Sequence, residues 1–189
     1  MNERIKDYMS HGEEILWSGR SENFEAMDKT HKSYYIRRSI IVAVIALALI
    51  ALYIPTAIST GAGIKVGVIL VLLAVGVYAV ISPVLDVKKL RKTEYVLTNE
   101  KLLIVSPSDV RSVALSSIPT AKLAKDEDGH TSLLCGPDAD KLAACKRRVA
   151  TLTGALLDQD SSMCDRFVLY AVNDVAGLKK AASGYLTIA

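Results

Sequence analysis

Residues Ser39 to Leu85 read SIIVAVIALALIALYIPTAISTGAGIKVGVILVLLAVGVYAVISPVL, 47 positions that carry a single charge, Lys65. Within them Ile40 to Ile58 is 19 uncharged residues and Val66 to Leu85 is 20. At about 1.5 Å per residue, each covers a hydrocarbon core of roughly 30 Å. The first run holds eleven Leu, Ile or Val and the second thirteen. Each such residue at a helix centre favours insertion by about 0.3 to 0.6 kcal/mol, so both runs favour the bilayer. Between them, Pro55 to Lys65 carries a proline, three small polar residues and two glycines, a composition that breaks helices and makes turns. The expectation is a transmembrane helical hairpin over 39–87, with spans at about 39–58 and 66–85.

The flanks orient this hairpin. Lys29, Lys32, Arg37 and Arg38 precede the first span and Lys88, Lys89, Arg91 and Lys92 follow the second, whereas the tip offers only Lys65. Positive loops stay inside, which places both termini in the cytoplasm and the chain in a cell membrane as a multi-pass protein. Tyr34 and Tyr35 are expected in an interfacial aromatic belt, with Tyr53 near the opposite face. Arg37, Arg38, Lys88, Lys89, Arg91 and Lys92 are the candidate contacts to membrane lipid, each worth about 1 kcal/mol near an anionic surface. Neither span contains Asp, Glu, His or Arg, which argues against an ion or proton relay. Gly63 and Gly67 form a small-xxx-small pair that suits helix association, although turn formation explains them equally well. A cleaved signal peptide is disfavoured, because 38 residues of mixed charge precede a run too long for a signal core.

Over the whole chain, 189 residues with 51% hydrophobic, 23% charged and a net charge of +3 exclude a disordered tail and a strongly basic nucleic-acid module. Met1 to Arg38 carries seven acidic and seven basic groups and reads as a charged, partly helical cytoplasmic lead-in. Trp17 stands out in it as a side chain that docks on a groove or at the membrane interface.

From Thr93 the pattern turns to short Val-, Ile- and Leu-rich segments separated by turn residues, the signature of strands. Six are expected: Glu94 to Thr98, Lys101 to Ser106, Val110 to Leu115, Ile118 to Lys125, Thr131 to Cys135 and Arg166 to Val172. Asp126-Glu-Asp-Gly129 makes the turn between the fourth and fifth. Leu142, Cys145, Val149, Leu152 and Leu156 recur at steps of three and four, predicting an inserted helix over 139–157 with Lys141, Lys146, Arg147 and Arg148 on its solvated side. Asp158 to Asp165 is a loop, and Asn173 caps a last helix bearing Val175, Leu178 and Ala182. Residues 88–189 are enough for one compact α+β domain.

Two stretches carry a resemblance. Gly12-Glu-Glu-Ile-Leu-Trp-Ser-Gly19 precedes the spans, and Glu94-Tyr-Val-Leu-Thr-Asn-Glu-Lys-Leu-Leu-Ile-Val105 follows them, with Ser117-Ile-Pro-Thr120 further on. Together they resemble the bacterial pleckstrin-homology-domain membrane proteins. The resemblance implies a partly open, seven-stranded antiparallel barrel with a C-terminal helix. It also implies a membrane-tethered binding or scaffold module, often oligomeric, whose partners are lipids, further copies or another membrane protein. The inserted helix departs from that pattern, and its apolar stripe, Leu142, Val149, Leu152 and Leu156, must be covered by the barrel, the bilayer surface or a second copy. The phosphoinositide loop of such domains corresponds to Thr98-Asn-Glu-Lys101, where one lysine beside one glutamate makes a poor anion site.

No catalytic residue, metal ligand set or cofactor site is expected. Cys135, Cys145 and Cys164 contain no Cys-x-x-Cys pair. No phosphate-cradling glycine loop, nucleophile elbow or zinc-protease motif is present. The chain therefore reads as a binding module; the alternative is a small membrane-bound enzyme that pairs His130 with a cysteine.

Overall fold

The structure is a computed structural model that describes residues 5, 7–61, 63–158 and 162–188. It divides into two units, Ala26–Leu85 and the combination of Met1–Glu25 with Asp86–Ala189.

The first unit is helical. Helix α1 (Lys29–Ser59) is N-capped by Asp28, whose carboxylate accepts from the His31 N–H, and α2 (Val66–Leu90) runs back. Pro55 was expected at the turn but lies inside α1. The chain instead turns where Gly61 and Gly63 take φ of +68° and +69°, a conformation glycine adopts without a Cβ clash. Tyr53 ties the tip, its hydroxyl accepting from the Lys65 N–H at 3.0 Å. Pro83 inside α2 removes the donor for the Ala79 carbonyl, and Ser82 Oγ donates to that oxygen at 3.2 Å. Both helices are long and apolar enough to cross a membrane. In their most apolar 18-residue windows only 6% and 17% of residues are buried, the reverse of a soluble core helix.

The second unit is built on two antiparallel sheets. Strands β1 (Ile15–Arg20), β2 (Glu94–Thr98), β3 (Lys101–Val105) and β4 (Val110–Ala114) form a meander in chain order. Strands β5 (Ala121–Lys125), β6 (Thr131–Cys135), β7 (Leu156–Leu157) and β8 (Cys164–Leu169) form the other sheet, in the order β5-β6-β8-β7. The sheets are not joined into a closed barrel; a bridge between Ser21 and Val172 links the end of β1 to the chain after β8. Trp17, Tyr95, Leu97, Leu102 and Ile104 of the first sheet meet Leu133, Cys135, Phe167 and Leu169 of the second in one core. Helix α5 (Val175–Ala182) closes it with Leu178 and Ala182. Val96, Leu103 and Val105 point to the other face of the first sheet and are covered by Ile5. Burial on both faces explains the unbroken apolar runs of β2 and β3.

Several expectations need correction. The N-terminal lead-in supplies a seventh full strand, β1, which pairs with β2 from Ile15↔Thr98 to Arg20↔Glu94. The single helix over 139–157 is instead α3 (Pro137–Asp140), a 3-10 turn at Ala144–Lys146 and α4 (Arg147–Thr153). Ala143 is extended, at ψ 141°, and Gly154 stops α4 at φ +85°, so Leu156 falls in β7. A 3-10 turn, Leu115–Ser117, delays β5 to Ala121. Strand β8 begins at Cys164, inside the expected loop, of which residues 159–161 lie outside the described residues. Asp174, not Asn173, caps α5, accepting from the Gly177 N–H.

Candidate functional site

The β2–β3 hairpin turn, where an anion site would sit, is already occupied by the chain's own N-terminal segment. Thr98 Oγ1 accepts from the Glu100 and Lys101 N–H groups, which closes the tight turn, and donates to Glu13 Oε1 at 2.5 Å. The second Glu13 oxygen accepts from the Ser10 N–H and from Lys101 Nζ at 2.9 Å. Burial opposes ionisation of Glu13, but the bonds from Thr98, Ser10 and Lys101 outweigh it and hold the carboxyl below the usual range. Asn99 completes the clasp by exchanging two bonds with the Glu14 backbone. Lys101, the only cation of this loop, is thus neutralised by Glu13 and also donates to the Tyr8 carbonyl. The two motifs that carry the resemblance are therefore halves of one contact.

Trp17 does dock, but in its own core. It is 7% exposed, and its Nε1 donates to Asp174 Oδ2 at 3.1 Å. The Asp174 carboxyl is lowered by the Gly177 N–H and then by this indole. Gly19 is required beneath the ring, since a Cβ there would lie 2.3 Å from Trp17 Cζ2.

Arg147 and Arg148, expected on a solvated face, are buried instead, because the break at Ala143 rotates α4 onto the second sheet. Arg147 donates to the carbonyls of Ala124 and Lys125 at the end of β5. The Arg148 guanidinium lies 4.4 Å from the Phe24 ring centre and 5.2 Å from that of Tyr170, and those two rings stand at 86° to each other, a cation–π corner that suits arginine. The Tyr170 hydroxyl donates to Asp126 at 3.1 Å, and His130 pairs with Glu22 at 2.8 Å while its ring packs edge-on to Phe24. This cluster joins the linker before α1, the β5–β6 turn and the insertion. Its members are up to 148 positions apart, from Glu22 to Tyr170, and no local pattern announces it.

No family model, curated protein or solved structure matches this chain. Its chemistry has to be read from its own side chains. Among the described residues the His130 ring meets Glu22, Phe24 and Tyr170, and its backbone bonds Asp126. Burial, with Cys164 beside it, pushes the Cys135 thiol far up, and burial pushes Cys164 up to about 11. Both thiols stay protonated at neutral pH and lack nucleophilic thiolate character. Among the described residues no group of three or more His, Cys, Asp or Glu is arranged to hold a metal.

The remaining candidates separate by exposure. Arg37, Lys88, Arg91 and Lys92 are exposed and Arg38 and Lys89 half-buried; Arg91 also donates to the Phe24 carbonyl at 2.7 Å. Tyr35, expected in an interfacial belt, is buried and stacked on His31. Around Gly63 and Gly67 a Cβ would meet nothing within 4 Å, so neither marks a close helix crossing among the described residues. Leu142 packs on Leu134, Ala139, Ala150 and Val168, so this side of the insertion is covered by the second sheet. Val149 and Leu152 are half-buried, and Leu156 remains exposed at the edge of the second sheet.

Proposed function

We propose that this chain is a membrane-anchored binding or assembly module, a bacterial pleckstrin-homology-like domain held at the cytoplasmic face of the cell membrane by a two-helix hairpin. The observation that carries the reading is the pair of long apolar helices with almost no buried residues. Strand pairing supports the topology. Arg20 and Glu94 are partners across β1 and β2, so the chain enters α1 and leaves α2 from one strand pair, which supports an even number of crossings. The order of four antiparallel strands, then β5, β6 and β8, then a closing helix supports the family resemblance, with β1 as the strand that the sequence withheld. Buried, protonated thiols and a His130 engaged by Glu22 favour binding over catalysis. The ligand-like role passes to exposed surfaces: the cations around the helix ends, and the β7 edge as a candidate for self-assembly.

The test is extraction and mass. The reading expects the protein to stay with membranes in alkaline carbonate and, once solubilised, to migrate as a complex larger than the 20.4 kDa monomer. A freely soluble protein would refute the anchor, and a monomer without crosslinked partners at every concentration would refute assembly.

A further inference from the structure

One side of α1 carries a stripe at helical spacing, Lys29, Lys32, Ser33, Ile36, Arg37, Ile40 and Ile41, that lines a shallow cavity of about 530 Å³. All seven are exposed, whereas His31 and Tyr35 on the other side are buried. At about 1.5 Å per residue the stripe is roughly 18 Å long. Its chemistry changes along that length, from Lys29, Lys32 and Ser33 through Ile36 and Arg37 to Ile40 and Ile41.

We propose that this stripe seats one anionic phospholipid, with its phosphate on Lys32 and Arg37 and an acyl chain along Ile36, Ile40 and Ile41. The inference rests on reading α1 as a membrane span. The Arg37 fork takes two phosphate oxygens, and the Lys32 ammonium and the Ser33 hydroxyl supply further donors. A zwitterionic headgroup would bring its own cation into this cationic end, so the charge balance selects a lipid such as phosphatidylglycerol. Ile36 lies one turn beyond Lys32, and Ile40 and Ile41 lie one turn beyond Arg37 at the start of the apolar run, where an acyl chain starts. Arg38 is half-buried and does not line the cavity, which separates a site from general attraction to an anionic surface.

The full-length protein in nanodiscs of phosphatidylglycerol and phosphatidylcholine tests this by native mass spectrometry of retained lipid. Phosphatidylglycerol retention is expected, weakened roughly a hundredfold by Lys32→Gln with Arg37→Gln, because each charge-assisted contact is worth about one decade. Lys65→Gln at the hairpin tip, exposed and outside the cavity, removes a similar charge and is expected to leave retention unchanged. Equal loss in the Lys65 variant, or equal retention of phosphatidylcholine, would overturn the site while leaving the anchor intact. Failure of the protein to enter nanodiscs at all would overturn the span itself. Inorganic phosphate is expected not to displace the lipid; displacement would overturn the acyl-chain half of the proposal.

Discussion

Glu13 is a buried carboxylate whose partners all favour its charged form, and that makes it a pH-dependent fastener. Its folded value lies below the ordinary 4.5, so its contribution is fully present above that value and is lost as pH falls through the lowered one. Glu13→Gln is therefore expected to flatten the decline in melting temperature below about pH 4.5; an unchanged acid profile would contradict the clasp. Two glycines separate space from conformation. Gly136 has φ +91° and a Cβ would meet the Cys164 carbonyl at 2.3 Å, while Gly129 has φ +87° and open space. Gly136→Ala is expected to cost about 2 kcal/mol or more and Gly129→Ala about 1 kcal/mol, measured by denaturant unfolding. Equal costs would show that the close approach at Gly136 is absent. Arg148→Lys keeps the charge but loses the guanidinium's cation–π contacts with Phe24 and Tyr170, with an expected loss of about 1 to 2 kcal/mol. A fully stable lysine variant would mean that charge alone holds the insertion.

At the scale of elements, legibility followed locality. The β2–β3 and β5–β6 hairpins were readable because each pairs neighbours in sequence across a turn, and the apolar helices because nothing but length and composition is needed. Strand β1 was not readable: Ile15, Leu16 and Trp17 sit in a polar stretch, and their partners lie beyond both apolar helices. The insertion misled because its apolar positions fit a helical period, while Gly154 and the extended Ala143 break that period. The same break turned Arg147 and Arg148 inward, reversing their expected role, and the aromatic rings that accept Arg148 are distant in sequence. The β1–β2 register is open to a direct check. Arg20→Cys with Glu94→Cys should form a disulfide under mild oxidant in the purified protein, since paired strand residues lie about 4.5 to 5.5 Å apart at Cα. Ser18→Cys with Glu94→Cys is out of register and should stay reduced; crosslinking of the second pair alone would shift the strand by two residues.

At the scale of the molecule, the chain interrupts one sheet with a membrane-length hairpin. The first sheet cannot be completed until β2 has emerged after α2, because β1 and β2 are paired across that hairpin in sequence. That couples two facts the sequence offered separately, basic flanks and alternating strands. The central claim is this two-crossing arrangement, and cysteine labelling with a membrane-impermeant maleimide in spheroplasts tests it most directly. Cys145→Ser serves as background, since Cys135 and Cys164 are buried. Thr60→Cys at the tip should label in intact spheroplasts, whereas Glu25→Cys and Lys92→Cys, both exposed, should label only after permeabilisation. Labelling of all three positions alike, or of positions 25 and 92 on opposite sides of the membrane, would contradict the account.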